Sequence, residues 1–137
     1  MGTLLPGIRD GEFKMTYSFT VPIVPIAKAR ARVTQRGTYT PSKTEQAETE
    51  IARYWLLEHF RRIGPDVPIT LRVIAVFEQP KSVKRAAHTV RPDASNILKL
   101  CEDALNRLAW VDDSQIVDTR CQKLYGAPAR LEITVSA

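Results

Sequence analysis

Hydrophobic positions along this chain fall into short runs of two-residue period, interrupted by two stretches of helical period. Residues 16–24 are β-rich and close at Pro22 and Pro25, which predicts a first strand. The following stretch, IAKARARVTQRGTYTP, alternates basic with small or β-branched residues around a turn glycine, Gly37, and reads as a ribbon or flexible loop. From Ser42 or Thr44 a helix is expected to about Arg62. Glu45, Glu48 and Glu50 lie in its first turns, where the helix dipole favours negative charge, and Ala52, Leu56, Phe60 and Ile63 form its apolar stripe.

Gly64-Pro65 ends that helix, and residues 67–77 form a β-branched, partly alternating run that predicts a well-buried strand. A second helix is expected over residues 95–108. At 100° per residue, Ile97, Cys101, Ala104, Leu105 and Leu108 share an arc of roughly 100°. Ser95, Lys99, Glu102 and Asn106 fall on the opposite face, with Asp103 at its edge. Residues 116–124 and 131–135 then predict two closing strands, joined as a hairpin around Gly126-Ala127-Pro128. The order β-α-β-α-β-β implies an α+β fold, a small mixed sheet covered by two helices.

At 137 residues and 44% hydrophobic content the chain suits one compact domain. Residues 15–137 are taken as that domain. Residues 1–14, MGTLLPGIRDGEFK, are irregular and precede a second Met at position 15, so they read as a disordered leader or tag. No run approaches the ~20 apolar residues that a membrane span needs. Cys101 and Cys121, with only His59 and His88 as further soft donors, make neither a zinc pattern nor a disulfide framework, which points to a reducing, cytoplasmic setting.

The net charge of +5 suits a polyanionic partner, but its distribution says more than its total. Residues 25–44 hold Lys28, Arg30, Arg32, Arg36 and Lys43 and no acid; residues 79–92 hold Lys81, Lys84, Arg85 and Arg91 and again no acid. Residues 93–118 reverse the balance, with six acids against Lys99 and Arg107. Two acid-free basic loops therefore lie beside an acidic segment. That is the combination phosphodiester hydrolysis requires: cations to hold the DNA backbone, and carboxylates to hold a Mg²⁺ ion that activates water.

Each acidic position also has a structural explanation. Asp93 follows Pro92 at a helix start and can serve as an N-cap, and Asp112-Asp113 before a strand is ordinary turn chemistry. Lys99 and Asp103 form an i,i+4 pair of the weaker order, worth ~0.3 kcal/mol. Their juxtaposition, more than any single residue, favours the nuclease reading. A PD-(D/E)xK nuclease fits less well, because Pro92-Asp93 is followed by no E-x-K or D-x-K.

The stretch RPDASNILKLCEDALNRLAWVDDSQIVD resembles the central motif of the RusA family of Holliday-junction resolvases, in outline basic-x-D-x-D-N-x-x-K, then D-A-L, then D-D-x-Q-[IV]. KARARVTQRGTYTPSKTEQAETEIA resembles the basic segment and first helix of phage-borne members. The resemblance implies a Mg²⁺-dependent endodeoxyribonuclease, with Mn²⁺ as a substitute, that cuts four-way junction DNA as a homodimer in a bacterial cytoplasm. It implies Asp93, Lys99 and Asp113 as catalytic residues and Asp93, Asp112 and Asp113 as metal ligands. Ser95, Glu102 and Asp103 stand near them as second-layer groups. Lys28, Arg30, Arg32, Arg36, Lys81, Lys84, Arg85 and Arg91 are the expected DNA contacts.

This sequence departs from the outline at Ser95, where the family pattern has a second aspartate. Three readings stay open. Ser95 caps the helix while Asp93, Asp112 and Asp113 hold the metal; Glu102 restores the missing charge; or the protein binds junctions and cuts poorly. A non-catalytic junction-binding protein is the alternative function.

Overall fold

The computed structural model describes residues 15–29, 32–39 and 42–137. The leader expected over residues 1–14, and Arg30 of the first basic loop, lie outside the described residues. The elements are β1 (Thr16–Val21), β2 (Arg32–Thr34), β3 (Gly37–Tyr39), α1 (Ser42–Leu57), β4 (Ile69–Phe77), α2 (Ala94–Leu105), a 3-10 turn (Asp113–Gln115), β5 (Ile116–Tyr125) and β6 (Arg130–Ser136). Two helices and a four-stranded mixed sheet give the expected α+β class. The first basic stretch is the short ribbon β2-β3, turned at Gly37, whose φ of 122° suits glycine.

The sheet order is β1-β6-β4-β5, with β4 parallel to β5 and antiparallel to β6. β4, ITLRVIAVF, is the most continuously apolar strand and takes an interior position. Residues at alternate positions meet in rows across the sheet. Cys121 pairs with Val73, Val73 with Ile133, and Ile133 with Phe19. Phe19, Val73 and Ile133 are buried on the face that the helices cover.

The expected hairpin between the last two strands does not form, because β4 lies between β5 and β6. The turn at Gly126 passes over the end of β4, and its N–H donates to the Phe77 carbonyl at 2.9 Å. A side chain at Gly126 would meet Val76 Cγ1 at 3.0 Å, so the crossing is close. Two alternating runs joined by a turn look like a hairpin in sequence. Here a more apolar strand intervenes and claims both neighbours.

α1 is shorter than expected and rotated about its axis. Its buried face is Thr44, Ala47, Ile51 and Trp55, whereas Leu56, assigned to the apolar stripe, is 57% exposed. Trp55 explains the rotation. The indole packs edge-on to Tyr17 and Phe19, with centroids 5.5 and 5.8 Å away, and to Phe60 at 4.8 Å. The helix ends at Leu57, and His59 adopts a positive φ of 57° that reverses the chain. Phe60 then stacks on Tyr17 at 4.5 Å from outside the helix, and the Ile63 N–H bonds the Ala109 carbonyl at 2.8 Å. α2 likewise stops at Leu105, short of Leu108, where Asn106 bridges to Trp110 and Arg107 takes a φ of 68°. Leu100, absent from the expected stripe, is fully buried with Ile97, Cys101 and Leu105.

Trp55 is the largest buried side chain where α1 meets β1. Trp55→Ala is expected to lower the free energy of unfolding by about 3–5 kcal/mol, read from urea denaturation with an unchanged slope.

Candidate active site

The site is built on α2 and the turn that follows it. Asp93 holds the N-cap position of α2 with extended backbone, φ −71° and ψ 143°, and its side chain makes no cap hydrogen bond. Its carboxylate is exposed and uncommitted to the helix. Ser95 lies inside the first turn, so it is not the cap residue that one reading of the sequence made it.

One turn further along, Lys99 Nζ pairs with Asp103 Oδ1 at 2.9 Å. Asp103 Oδ2 reaches Lys28 Nζ at 3.3 Å, and Lys28 also pairs with Glu48 of α1. Against the desolvation that lowers it, the bonds to Glu48 and Asp103 hold the Lys28 ammonium above the ordinary lysine range. The Lys28 N–H donates to the Asn96 carbonyl at 3.0 Å. Named as a DNA contact from the sequence, Lys28 sits half-buried as the tie between the two helices and the start of the basic ribbon.

The Asp112-Asp113 pair divides its labour. Asp112 turns its carboxylate into its own turn, where Oδ2 accepts from the Ser114 N–H at 3.1 Å and from the Ser114 hydroxyl. Those bonds hold Asp112 below the usual carboxylate range. Gln115 completes the turn: its Oε1 accepts from the N–H groups of Val111 and Asp112, both at 3.0 Å. Its Nε2 donates to the carbonyls of Gly64 at 2.7 Å and Val67 at 3.2 Å. This buried amide pins the acidic turn to the segment entering β4.

Asp113 has a different partner: its Oδ1 accepts from the Trp110 indole N–H at 2.8 Å. Burial, and then the like charge of Asp113, push the Glu102 carboxyl above the ordinary glutamate range, against the opposing charge of Lys99. Asp103 raises the Lys99 ammonium in its turn, with Glu102 and Asp113 adding to the effect. Glu102, Asp113 and Lys99 therefore share one electrostatic environment. Two carboxylates repelling each other beside a lysine are an arrangement that an added cation stabilises.

The structure pairs Lys99 with Asp103 and sets Glu102 within the field of Asp113, while Asp93 stands at the start of α2 and Asp112 is bonded within its own turn. Among the described residues no three His, Cys, Asp or Glu side chains are grouped closely enough to hold a metal ion by themselves. The oxygen donors of Asp113 and Glu102 nonetheless fit Mg²⁺, which commonly takes one or two carboxylates and completes its shell with water and substrate phosphate.

Of the expected DNA contacts, Arg36, Lys81, Lys84, Arg85 and Arg91 are exposed. Arg32 lies in β2. The Gln79 amide fastens the second basic loop through the carbonyls of Val83 at 3.0 Å and Arg85 at 2.8 Å. Lys123 Nζ binds the carbonyls of Val90 at 2.7 Å and Pro92 at 3.0 Å, and so fixes the loop just before Asp93. Sequence reasoning passed over Gln115, Trp110 and Lys123. The glutamine of the D-D-x-Q pattern was the one available signal, and it went unused.

The crossover helix and the turn after it thus carry acids and a lysine, with two basic segments preceding them in the chain. The model of the family Endodeoxyribonuclease RusA matches residues 22–136, and the chain belongs to that family. Among curated proteins it is 28% identical over 132 residues to the Bacillus subtilis protein YqaN, described as uncharacterized, covering 85% of this chain and 93% of the relative. It is 27% identical over 123 residues to the crossover junction endodeoxyribonuclease RusA of Escherichia coli K12, covering 88% and 94%.

The raised Glu102 carboxyl has a consequence for stability. Unfolded, the group titrates near 4.5; folded, it titrates higher, so the charged form works against folding once the pH exceeds the folded value. Glu102→Gln is therefore expected to raise Tm at pH 7. That gain should shrink as the pH falls through the folded pKa and vanish below about 4.5. Calorimetry of both proteins across pH 4–7 checks it.

Proposed function

We propose that the protein is a Mg²⁺-dependent endodeoxyribonuclease that resolves four-way DNA junctions by paired phosphodiester hydrolysis, in recombination and repair. Family membership supports the reaction class, and the named activity of the E. coli relative supports the junction as substrate. The single observation that carries the reading to this chain is Asp113. Its carboxylate is oriented by Trp110 and electrostatically coupled to Glu102 and Lys99.

Asp93, Asp112 and Asp113 would hold the ion, and Glu102 would add negative charge beside them. When bound, Mg²⁺ supplies a nucleophilic water and neutralises charge on the phosphate, and Mn²⁺ would substitute. The chain's own residues do the rest. Lys99, kept charged by Asp103, offers a compact positive charge to the phosphate as negative charge develops in the transition state. Asp103 orients that lysine and, through Lys28, fixes α2 against α1. Arg36, Lys81, Lys84, Arg85 and Arg91 hold the DNA backbone by charge, with Arg30 and Arg32 in the same basic stretch.

Two symmetric incisions require two sites at a fixed separation, so the working form is a homodimer. No helix among the described residues is long and apolar enough to cross a membrane, and the proposed place of action is the cytoplasm of a bacterial cell, with a phage or prophage origin.

The second reading is a junction-binding protein without cleavage. Ser95 favours it, because an exposed hydroxyl stands where the family pattern has a carboxylate. One assay separates the two. On a synthetic mobile junction in Mg²⁺, wild-type protein is expected to nick symmetrically, and Asp113→Asn to nick at least about 100-fold more slowly, the loss expected when several kcal/mol of charge stabilisation go. Binding with no metal-dependent nicking in the wild type would establish the non-catalytic reading instead.

The basic loops give an independent measurement. Lys84→Ala or Arg85→Ala should weaken junction binding at every sequence and reduce the slope of log K against log salt by about 1 each.

A further inference from the structure

The second basic loop shows nearly all of its side chains to solvent. From Glu78 to Arg91 every residue is exposed except the half-buried Val83 and His88, which is only 9% exposed. The His88 ring lies flat on Phe77, with centroids 3.8 Å apart and planes 13° from parallel, and meets Tyr125 edge-on at 5.3 Å. Phe77 and Tyr125 are register partners that end the parallel strands β4 and β5. The loop's other ties lie at its ends. Gln79 folds the first part onto itself through the carbonyls of Val83 and Arg85, and Lys123 holds the last part through those of Val90 and Pro92. Between them, His88 is the one buried side chain that joins the loop to the sheet.

The niche suits a neutral ring. An imidazolium donates from both nitrogens, but the buried Nδ1 has no hydrogen-bond partner among the described residues, and neither has the buried Tyr125 hydroxyl. A proton on Nδ1 would be a buried donor without an acceptor, so the ring fits with its single proton on Nε2. The charged groups around the niche are Glu78 at the end of β4, Arg85 on the loop and Lys123 of β5, with Tyr125 as the remaining titratable group. Val24 and Ala129, from the segments that follow β1 and precede β6, bring no charge. Burial, and then the positive charges of Lys123 and Arg85, hold the imidazole below the ordinary histidine range. Released, the ring would titrate near its ordinary 6.5; docked, it titrates lower. Docking is therefore strongest above pH 6.5 and weakens as the pH falls below it, because the free loop takes up a proton that the docked loop excludes.

We propose that His88 is the positioning residue of the second basic loop: its neutral ring, stacked on Phe77, holds Lys81, Lys84 and Arg85 where they grip DNA, and protonation releases them. The inference rests on the DNA-binding part of the proposed function and names the residue that pre-orders the loop for it. A loop ordered before binding loses less conformational freedom when the phosphates arrive.

The test uses the full chain with a nitroxide label on Ala86→Cys, an exposed loop position, in a Cys121→Ser background; Cys101 is fully buried and stays unlabelled. At about pH 8 the label is expected to be restrained when His88 is present and mobile with His88→Ala, and His88→Phe should restore the restraint by refilling the stack. Lowering the pH to about 5.5 should mobilise the His88 loop and leave the His88→Phe loop restrained. Junction binding at about pH 8 should weaken about tenfold with His88→Ala and return with His88→Phe. Equal mobility with His88 and with His88→Ala, or a pH response that persists in His88→Phe, would overturn the anchor. The label needs no DNA, so the anchor and the DNA reading fail separately. A loop mobilised by His88→Ala with junction affinity unchanged sinks the link from anchor to grip, whereas a His88-anchored loop in a protein that binds no junction sinks the DNA reading alone.

Discussion

Parallel pairing of β4 with β5 is the constraint on which the rest of this structure depends. Two parallel neighbours cannot be joined by a tight turn; the chain leaving Phe77 must travel back along the sheet before Ile116 can start. α2 is that return path. Its two ends therefore carry the two groups of candidate site residues, the basic loop and Asp93 at one end and the Asp112-Asp113 turn at the other. A hairpin at this point would have left no helix between the acids and no face on which Lys99 and Glu102 could stand.

Ile97, Leu100, Cys101 and Leu105 bury that return path in the core, and a few polar contacts fix its orientation. Lys28 joins Glu48 of α1 to Asp103 of α2, and Asp103 in turn joins Lys99. Lys123 fixes the segment before α2, and the buried Gln115 amide fixes the segment after it. Partly buried ion pairs of this sort contribute little net stability, because desolvation offsets most of their attraction. Their contribution here is orientation, since each one ends on a group flanking the acidic site.

Ser95 acquires a more definite meaning in this arrangement. It is neither the cap of α2 nor part of the charged cluster, and Asp93 beyond it carries an unengaged carboxylate. Glu102, two turns further along the helix, is the acid of α2 that feels the like charge of Asp113.

Much of this was written in local pattern. The strand and helix types, the α+β class, the basic ribbon at Gly37 and the motif acids follow from period, turn residues and charge runs, which depend only on near neighbours in the chain. Other features depend on residues far apart in sequence. Trp55 turned α1 because Tyr17, Phe19 and Phe60 converge on it from three separate segments. β4 separated β5 from β6 because the most apolar strand takes the interior of a sheet, a competition that no single strand reveals. Asp112 and Asp113, adjacent in sequence, were given opposite tasks by Ser114 and Trp110. The sequence by itself determined which chemical groups this protein carries and in what local structures. Tertiary packing alone decided which of them meet, because that choice lies in contacts between elements tens of residues apart.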